Sequence, residues 1–315
     1  MKELEFLKII TDNLSKNSHI GDDCAYLEEL GIVVTHDSMV EGIHFSLEFT
    51  TPYQLGYRAI VVNLSDVFAS GALPKYLTIS LSLPKTADGE FVKEFYRACD
   101  DLSKEYDFEV IGGDITGSEK IFVSVCAIGV TKGRKIASRS HAKVGDYLIT
   151  TGHHGSSAAG LWALNENIKF LPILITEHLT PVPQRDFSVD IATNMDKDYA
   201  MMDTSDGLMD ALFKIAQSSN VSINVDFAKI PYDKSIEKVA TLADKDFRDW
   251  VLYGGEDFQL VACVDEGNLK KINADYTIIG RVEEKKEDYI VEVNFGDNIV
   301  KVSDLEKTFN HFGRG

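Results

Sequence analysis

The chain has 315 residues, of which 44% are hydrophobic, and this is enough apolar sequence for two packed domains more readily than for one. Fifty acidic residues against 32 basic ones leave a net charge of −18. A chain of that charge repels nucleic acid and anionic membranes, so we expect neither as a partner. The acidic excess suits a protein that binds divalent cations.

The cysteines and the first twenty residues indicate the compartment. None of the cysteines is spaced as CxxC, so the sequence predicts neither a zinc site nor a disulfide framework. We expect small, mostly buried thiols in a reducing cytosol. The amino-terminal stretch mixes charge with apolar residues at helical spacing and lacks the apolar core of a signal peptide, and no apolar run could span a bilayer. A cytoplasmic protein is predicted. The cysteines are Cys24, Cys99, Cys126 and Cys263.

The first half of the chain alternates strand and helix patterns, which predicts an α/β or α+β domain. The clearest pattern is "YLTISLSL", whose strict alternation predicts a strand with one buried face. The predicted elements are strands over 31–37, 76–83, 108–114 and 121–130, and helices over 55–71 and 88–106.

Residues 131–145 reverse the local charge, with five basic residues and no acidic one. Because the segment is also punctuated by Gly and Ser, we place the domain boundary here, between an N-terminal α/β domain of residues 1–135 and a C-terminal α/β domain of residues 136–315. On pattern alone, a solvated linker and an anion-facing segment are equally good interpretations. In the second half we predict a helix over about 206–218 and strands over 146–152, 221–227, 258–264, 276–282 and 288–294.

Carboxylates occur where strands and helices end. A doubled Asp in a turn can simply face water, and Ser205–Asp206 can be a helix N-cap. Several such residues in one fold favour a common cause, because like charges that gather without cations destabilise the fold. Oxygen-rich clusters suit Mg²⁺, which retains waters and bridges to phosphates. No P-loop is present, so a phosphoryl-transfer enzyme with this sequence would rely on metals. The residues concerned are Asp23, Asp37, Asp66, Asp114, Asp203 and Asp206.

Eight motifs carry a resemblance to a known family. They are "IGDDCAYL", "THDSMVEGIHF", "VNLSDVFASGALP", "IGGDIT", "VGDYLITTGHHGSSAAGL", "DTSDGL", "GGEDFQL" and "FNHFG". In this order they resemble the thiamine-monophosphate kinases over nearly the whole chain. The resemblance implies the two-domain fold of aminoimidazole ribonucleotide synthetase, ATP binding without a Walker motif, and a homodimer whose N-terminal domains build a shared β-barrel. We expect strand 76–83 and its neighbours to pair with the partner's sheet. The implied reaction converts ATP and thiamine phosphate into ADP and thiamine diphosphate.

The resemblance also implies roles for individual residues. Mg²⁺ ligands fall on Asp23, Asp37, Asp66, Asp114, Asp203 and Asp206, with Thr35 and His36 assisting. Nucleotide contacts fall on Gly113, Asp114, Arg139 and Ser205. Thiamine-phosphate contacts fall on His44, Glu256 and Phe309. Asp22 is expected either to orient the turn or to support the metal ligands from behind, and the basic segment becomes a triphosphate contact through Arg139.

Two positions depart from the family pattern. His36 stands where the family usually has Ser or Thr, so a metal contact there could use the backbone carbonyl or be weakened. "GHHG" is unusual in a glycine turn, and we interpret His153 and His154 as surface variation.

The acceptor in this reaction is a phosphate monoester, whose oxygen is already anionic near neutral pH, so no general base is needed. Direct in-line transfer assisted by several Mg²⁺ ions is predicted. One alternative is another ATP-dependent enzyme of the superfamily, a selenophosphate or purine-pathway synthetase. The selenophosphate enzymes carry their reactive residue in the N-terminal segment, but this chain has no Cys before Cys24. The other alternative is a non-catalytic nucleotide- or metal-binding protein, which a broken set of aspartates would favour.

Overall fold

The computed structural model describes residues 3–308, with side chains from residue 5 onward. The helices described are α1 (Glu3–Asn13), α2 (Pro52–Ala69), α3 (Gly89–Tyr106), α4 (Ser156–Asn165), α5 (Pro172–Leu179), α6 (Arg185–Asn194), α7 (Leu208–Ser219), α8 (Ser235–Ala243), α9 (Phe247–Tyr253) and α10 (Glu266–Leu269). The strands described are β1 (Ala25–Leu27), β2 (Ile32–Val40), β3 (Leu73–Leu83), β4 (Glu109–Gly117), β5 (Phe122–Val130), β6 (Tyr147–Thr150), β7 (Ala200–Asp203), β8 (Ser222–Asp226), β9 (Leu260–Val264), β10 (Thr277–Glu283), β11 (Val291–Asn294) and β12 (Ile299–Val302).

The strands form two sheets, one from each half of the chain. The first sheet has the order β1-β2-β5-β3-β4 and is antiparallel except for the β3–β4 pair. The second has the order β12-β11-β8-β10-β6-β9-β7 and is antiparallel except for the β8–β11 pair. The mixed α/β architecture is therefore confirmed. The boundary between residues 135 and 136 stays a prediction, because one apolar core runs from the first sheet into β7 and β9.

The alternation in β3 has the predicted effect. Leu77, Ile79 and Leu81 are buried beneath the helices, while Ser80 on the opposite face is exposed. Strand β3 itself is flanked by β5 and β4, and its pairing with a partner's sheet stays a prediction. The edge next to it is β4, so a partner's sheet would meet β4 rather than β3.

Helix α2 packs against both sheets and is buried over nearly its whole surface. Its start is fixed by a capping box, in which Thr51 and Gln54 satisfy each other's backbone groups, and by Pro52 in the first turn. A helix surrounded by protein must place its polar residues against partners inside the fold. The polar side chains of α2 therefore identify where interior polar chemistry lies.

The prediction for the cysteines is confirmed in most respects. All four are free thiols, and three are buried, whereas Cys126 is only partly buried. Among residues 3–308, no helix is both long enough and apolar enough to cross a bilayer.

Candidate active site

Three aspartates from distant parts of the sequence meet beside α2. Asp23 precedes β1, Asp66 lies near the end of α2, and Asp203 ends β7. One carboxylate oxygen from each lies within 4.8 Å of the others. Three carboxylates at this spacing form the oxygen-only donor set that suits Mg²⁺.

Burial makes this cluster electrostatically unfavourable by itself. Burial raises the pKa of Asp23 to about 7, although the Arg139 guanidinium opposes the shift. Burial, and next the charges of Asp37 and Asp203, raise the pKa of Asp66 well above its usual range. The pKa of Asp203 is raised for the same first reason. Because a cation would remove this repulsion, both the charge and the donor atoms of the site fit a divalent metal.

Hydroxyl groups orient two of the three carboxylates. Thr35 Oγ1 donates to Asp66 Oδ2 at 2.5 Å, and Ser65 Oγ donates to Asp203 Oδ2 at 2.6 Å. Ser205 Oγ donates to Asp203 Oδ1 at 2.8 Å. Such bonds hold ligand carboxylates in place for a metal. Thr35 and Ser205 thus lie at the cluster, while their roles as a metal-assisting residue and a nucleotide contact stay predictions; Ser65 is a contributor that the motifs did not single out.

The His36 side chain is not part of the cluster. Successive residues of a strand face opposite sides, so Thr35 faces the aspartates while the His36 ring lies on the other face of the sheet, with Nε2 2.5 Å from Ser124 Oγ. A metal contact through the backbone carbonyl of His36 stays a prediction.

Asp37 and Asp206 lie beside the three clustered acids. Burial, followed by the charges of Asp203 and Asp206, raises the pKa of Asp37 to about 6. Asp206 accepts from Lys214 Nζ at 3.1 Å, and the same ammonium group lies 2.6 Å from Asp210. Asp37 and Asp206 therefore enlarge the acidic group beyond the three clustered aspartates.

Asp22 and Arg139 link the amino-terminal turn to the basic segment. Asp22 accepts hydrogen bonds from Arg139 N at 2.7 Å and Ser138 Oγ at 2.8 Å, while the Arg139 guanidinium pairs with Asp23. The predicted role of Asp22 in orienting the turn agrees with these contacts. Elsewhere in the segment, Arg134 donates to two backbone carbonyls and Lys135 pairs with Asp198. Arg139 is thus the basic residue of this segment that reaches the acids.

Gly113 and Asp114 lie apart from the other predicted site residues. Ser38, Ser124, Ser80 and Asp114 stand opposite one another across β2, β5, β3 and β4. Three strand spacings of about 4.8 Å place Asp114 about 14 Å from β2. Asp114 is exposed. The row of paired residues that contains Asp114 is not the row that contains Thr35 and faces the cluster. Within one chain, these two residues do not reach the acidic cluster.

A cavity of about 530 Å³ runs from the acids toward the predicted acceptor residues. Asp37, Ser205 and Asp206 line this cavity, and so do His44 and Glu256. The His44 Nδ1 accepts from Val40 N at 3.0 Å, so the neutral ring carries its proton on Nε2. Phe309 lies outside the described residues.

Two residues around this cavity were missed by the sequence interpretation. Arg58 in α2 is fully buried and donates from Nη2 to Glu256 Oε1 at 2.6 Å. His178 in α5 lines the cavity, and its Nδ1 lies 3.6 Å from Glu256 Oε2. The signal in the sequence was a second charged residue, besides Asp66, on a helix that is mostly apolar or small.

The interpretation of His154 as surface variation was wrong. His153 is exposed as expected, but His154 is fully buried, with Nε2 2.8 Å from Thr150 Oγ1. Burial lowers the pKa of His154 to about 3. It is therefore a neutral core residue beneath the glycine turn.

A second cavity, of about 470 Å³, lies on the other side of Asp23. Asp22, Ser138 and His141 line it together with the side chains of Arg134 and Lys135. The acidic cluster is therefore approached from two sides.

Comparisons with known proteins agree with this geometry. Residues 21–131 match the family described as AIR synthase related protein, N-terminal domain. The thiamine-monophosphate kinase of Synechococcus elongatus is 33% identical over 309 residues, covering 93% of this chain and 91% of the relative. That of Bacillus subtilis is 33% identical over 335 residues, covering 99% and 100%. The solved structure of AaThiL complexed with AMPPCP and TMP is 33% identical, with a TM-score of 0.87, and the match covers 99% of this chain and 97% of that one.

Proposed function

This chain belongs to the thiamine-monophosphate kinase family, and on that premise we propose that it transfers the γ-phosphoryl group of ATP to thiamine phosphate by direct, Mg²⁺-assisted in-line displacement. The observation that carries the proposal is the continuity between the acids and one cavity. Asp37, Ser205 and Asp206 at the acidic end share that cavity with His44 and Glu256. Thiamine phosphate has an anionic phosphate and a cationic organic half. The phosphate suits the metal-binding acids, and the cationic half suits the part of the cavity that contains His44 and Glu256.

The residues fit Mg²⁺. The carboxylates of Asp23, Asp66 and Asp203 would hold it. Asp37 is influenced by the charges of Asp203 and Asp206, and in this proposal Asp37 and Asp206 contribute further ligands. When bound, Mg²⁺ supplies charge neutralisation between two polyanions that would otherwise repel each other. Thr35, Ser65 and Ser205 keep the carboxylates aimed at the same point.

In the proposed reaction, an oxygen of the thiamine phosphate monoester attacks the γ-phosphorus of ATP. A new P–O bond forms while the bond to the β,γ-bridging oxygen breaks, and ADP leaves with that electron pair. The attacking oxygen carries no proton near neutral pH, so the chain needs no general base. The chain contributes positioning: Arg139 and Ser205 toward the nucleotide, and His44 and Glu256 toward the acceptor.

Gly113 and Asp114 enter this proposal through the predicted homodimer. The β4 edge carries them on an exposed strand, too far from the acidic cluster of the same chain. We propose that β4 of one copy brings them to the nucleotide in the other copy. A cytoplasmic location also stays a prediction.

The test has two parts. Coupled measurement of ADP release with thiamine, thiamine phosphate and aminoimidazole precursors identifies the acceptor, and turnover restricted to thiamine phosphate is expected. A chiral γ-thiophosphate donor then reports the mechanism, because one displacement inverts the configuration at phosphorus and two retain it. Net retention, or exchange between ADP and ATP without acceptor, would overturn direct transfer and point to a phosphorylated aspartate.

A further inference from the structure

The cavity lined by His44 and Glu256 meets helix α2 at Val62, and α2 carries an arginine before that residue and an aspartate after it. Arg58 and Asp66 are eight residues apart and so lie on the same side of the helix, about 12 Å apart along its axis. Val62, between them, lines the cavity. Asp66 belongs to the acidic cluster, whereas the Arg58 guanidinium reaches Glu256 at the opposite end. A single rigid element thus spans the distance between metal and acceptor residues.

The burial of Arg58 is not explained by its contribution to folding. Its side chain is wholly buried, and Nε and Nη1 have no hydrogen-bond partner within the described part of the chain. Its ion pair with Glu256 uses Nη2 alone. Buried ion pairs are often no more stabilising than apolar residues of similar volume. What the contact does accomplish is to fix Oε1 of Glu256.

The backbone of Glu256 is fixed as firmly as its side chain. Its φ is 64°, in the left-handed region that a non-glycine residue rarely adopts. Its N–H donates to Ser205 O at 2.7 Å. The adjoining Asp257 accepts from Gly155 N at 2.6 Å and Ser157 N at 2.8 Å, at the start of α4. Backbone strain of this kind is typical of ligand-contacting positions.

His178 completes the surroundings of Glu256. Its Nδ1 lies 3.0 Å from Ser157 Oγ and 3.6 Å from Glu256 Oε2, and the second distance exceeds a hydrogen bond. Serine and glutamate approach the same ring nitrogen, so this trio cannot act as a hydrolase triad, which needs both nitrogens. Burial, followed by the Arg58 charge, lowers the pKa of His178 to about 4. A neutral ring beside Oε2 adds no charge that would repel a cation.

We propose that Arg58 is a positioning residue that holds Glu256 by its Oε1, so that Oε2 is presented to the amine-bearing, cationic half of the acceptor. The inference rests on the proposed function, in which Glu256 receives the organic end of thiamine phosphate. It adds that Arg58, which lies beneath Glu256 and is fully buried, determines acceptor specificity through Glu256.

Steady-state kinetics of Glu256→Gln, Arg58→Met and the double variant test this. Each single variant is expected to raise the KM for thiamine phosphate about tenfold or more, with the KM for ATP nearly unchanged. The double variant is expected to match Glu256→Gln, because residues that act as one unit are not additive. Arg97→Met, which removes a surface arginine that pairs with Glu94 and lines neither cavity, is the control, and should leave both KM values unchanged.

The outcomes separate the two levels of the proposal. If Glu256→Gln leaves the KM for thiamine phosphate unchanged, the assignment of Glu256 in the proposed function is wrong and this inference falls with it. If Glu256→Gln raises that KM but Arg58→Met does not, or if the double variant shows the product of both losses, only the role of Arg58 is overturned. Arg58→Gln replaces Arg58→Met, with the same expected pattern, should the methionine variant fail to fold.

Discussion

The separation of Asp114 from the acidic cluster predicts that each site is completed by two chains. Metal-ligand oxygens lie within a few ångströms of one ion, but about 14 Å separates β4 from β2. If Asp114 serves the site at all, it must come from another copy. Asp66→Asn and Asp114→Asn should therefore each be inactive alone, yet restore activity when both variants share one dimer.

The expected recovery follows from counting sites. Random pairing of equal amounts makes about half of the dimers mixed, and one of the two sites in each mixed dimer has both aspartates intact. Coexpression should therefore give about a quarter of the wild-type activity. Differently tagged chains, purified through both tags, would raise this to about half.

A matched pair of variants provides the control. Asp66 and Asp203 meet within one chain, so coexpressed Asp66→Asn and Asp203→Asn should leave both sites of a mixed dimer defective. Mixed dimers of Asp66→Asn and Asp114→Asn that are proven by both tags but have no activity would refute composite sites. Full activity of Asp114→Asn alone would instead remove Asp114 from the site.

Three further predictions concern single side chains. Asp66→Asn should lower kcat about 100-fold or more at saturating Mg²⁺. It should not lower the melting temperature, because it removes one of several crowded charges. Wild-type turnover would show that Asp66 is a buried acid without a role in the reaction. His44→Ala should raise the KM for thiamine phosphate more than that for ATP, and equal effects or a large loss of thermal stability would instead indicate a residue that braces its turn. The folded pKa of His154 is about 3 against an ordinary 6.5, so this side chain contributes stability above pH 6.5 that is lost as the pH falls. Between pH 7.5 and pH 5, denaturant titrations should show wild type losing about 2 kcal/mol more than His154→Gln, and parallel profiles would contradict a buried neutral ring.

The sequence predicted those parts of the fold whose side chains repeat with a clear period. The alternation over 76–83 and the helical spacing over 88–106 correspond to β3 and α3. Helices α4, α5 and α6 were not predicted, and neither was β7. The first of these helices is rich in small residues and buries several of them, which weakens its amphipathic signal. Strand β7 has four residues, too few to display a period.

The acids could be predicted as a group, but not their division between two places. Their positions at element ends indicated a cluster, and Asp23, Asp66 and Asp203 do meet. Whether Asp114 joins them depends on strand order, because β4 lies three strands away from β2. Strand order arises from packing over long sequence separations, and no local pattern reports it.

Arg58 shows why chemistry inside a fold is difficult to infer from residue type. An arginine on a helix ordinarily extends its stem toward water, and at position 58 that expectation fails because α2 has protein on all sides. The close approach of α3 contributes, since a side chain at Gly56 would meet the Phe95 carbonyl at 2.3 Å. This contact fixes the rotation of α2, and the same rotation directs Asp66 to the acids and Arg58 to Glu256. The proposed metal binding and the proposed acceptor recognition therefore both depend on the placement of one buried helix, which holds its groups more rigidly than loops would.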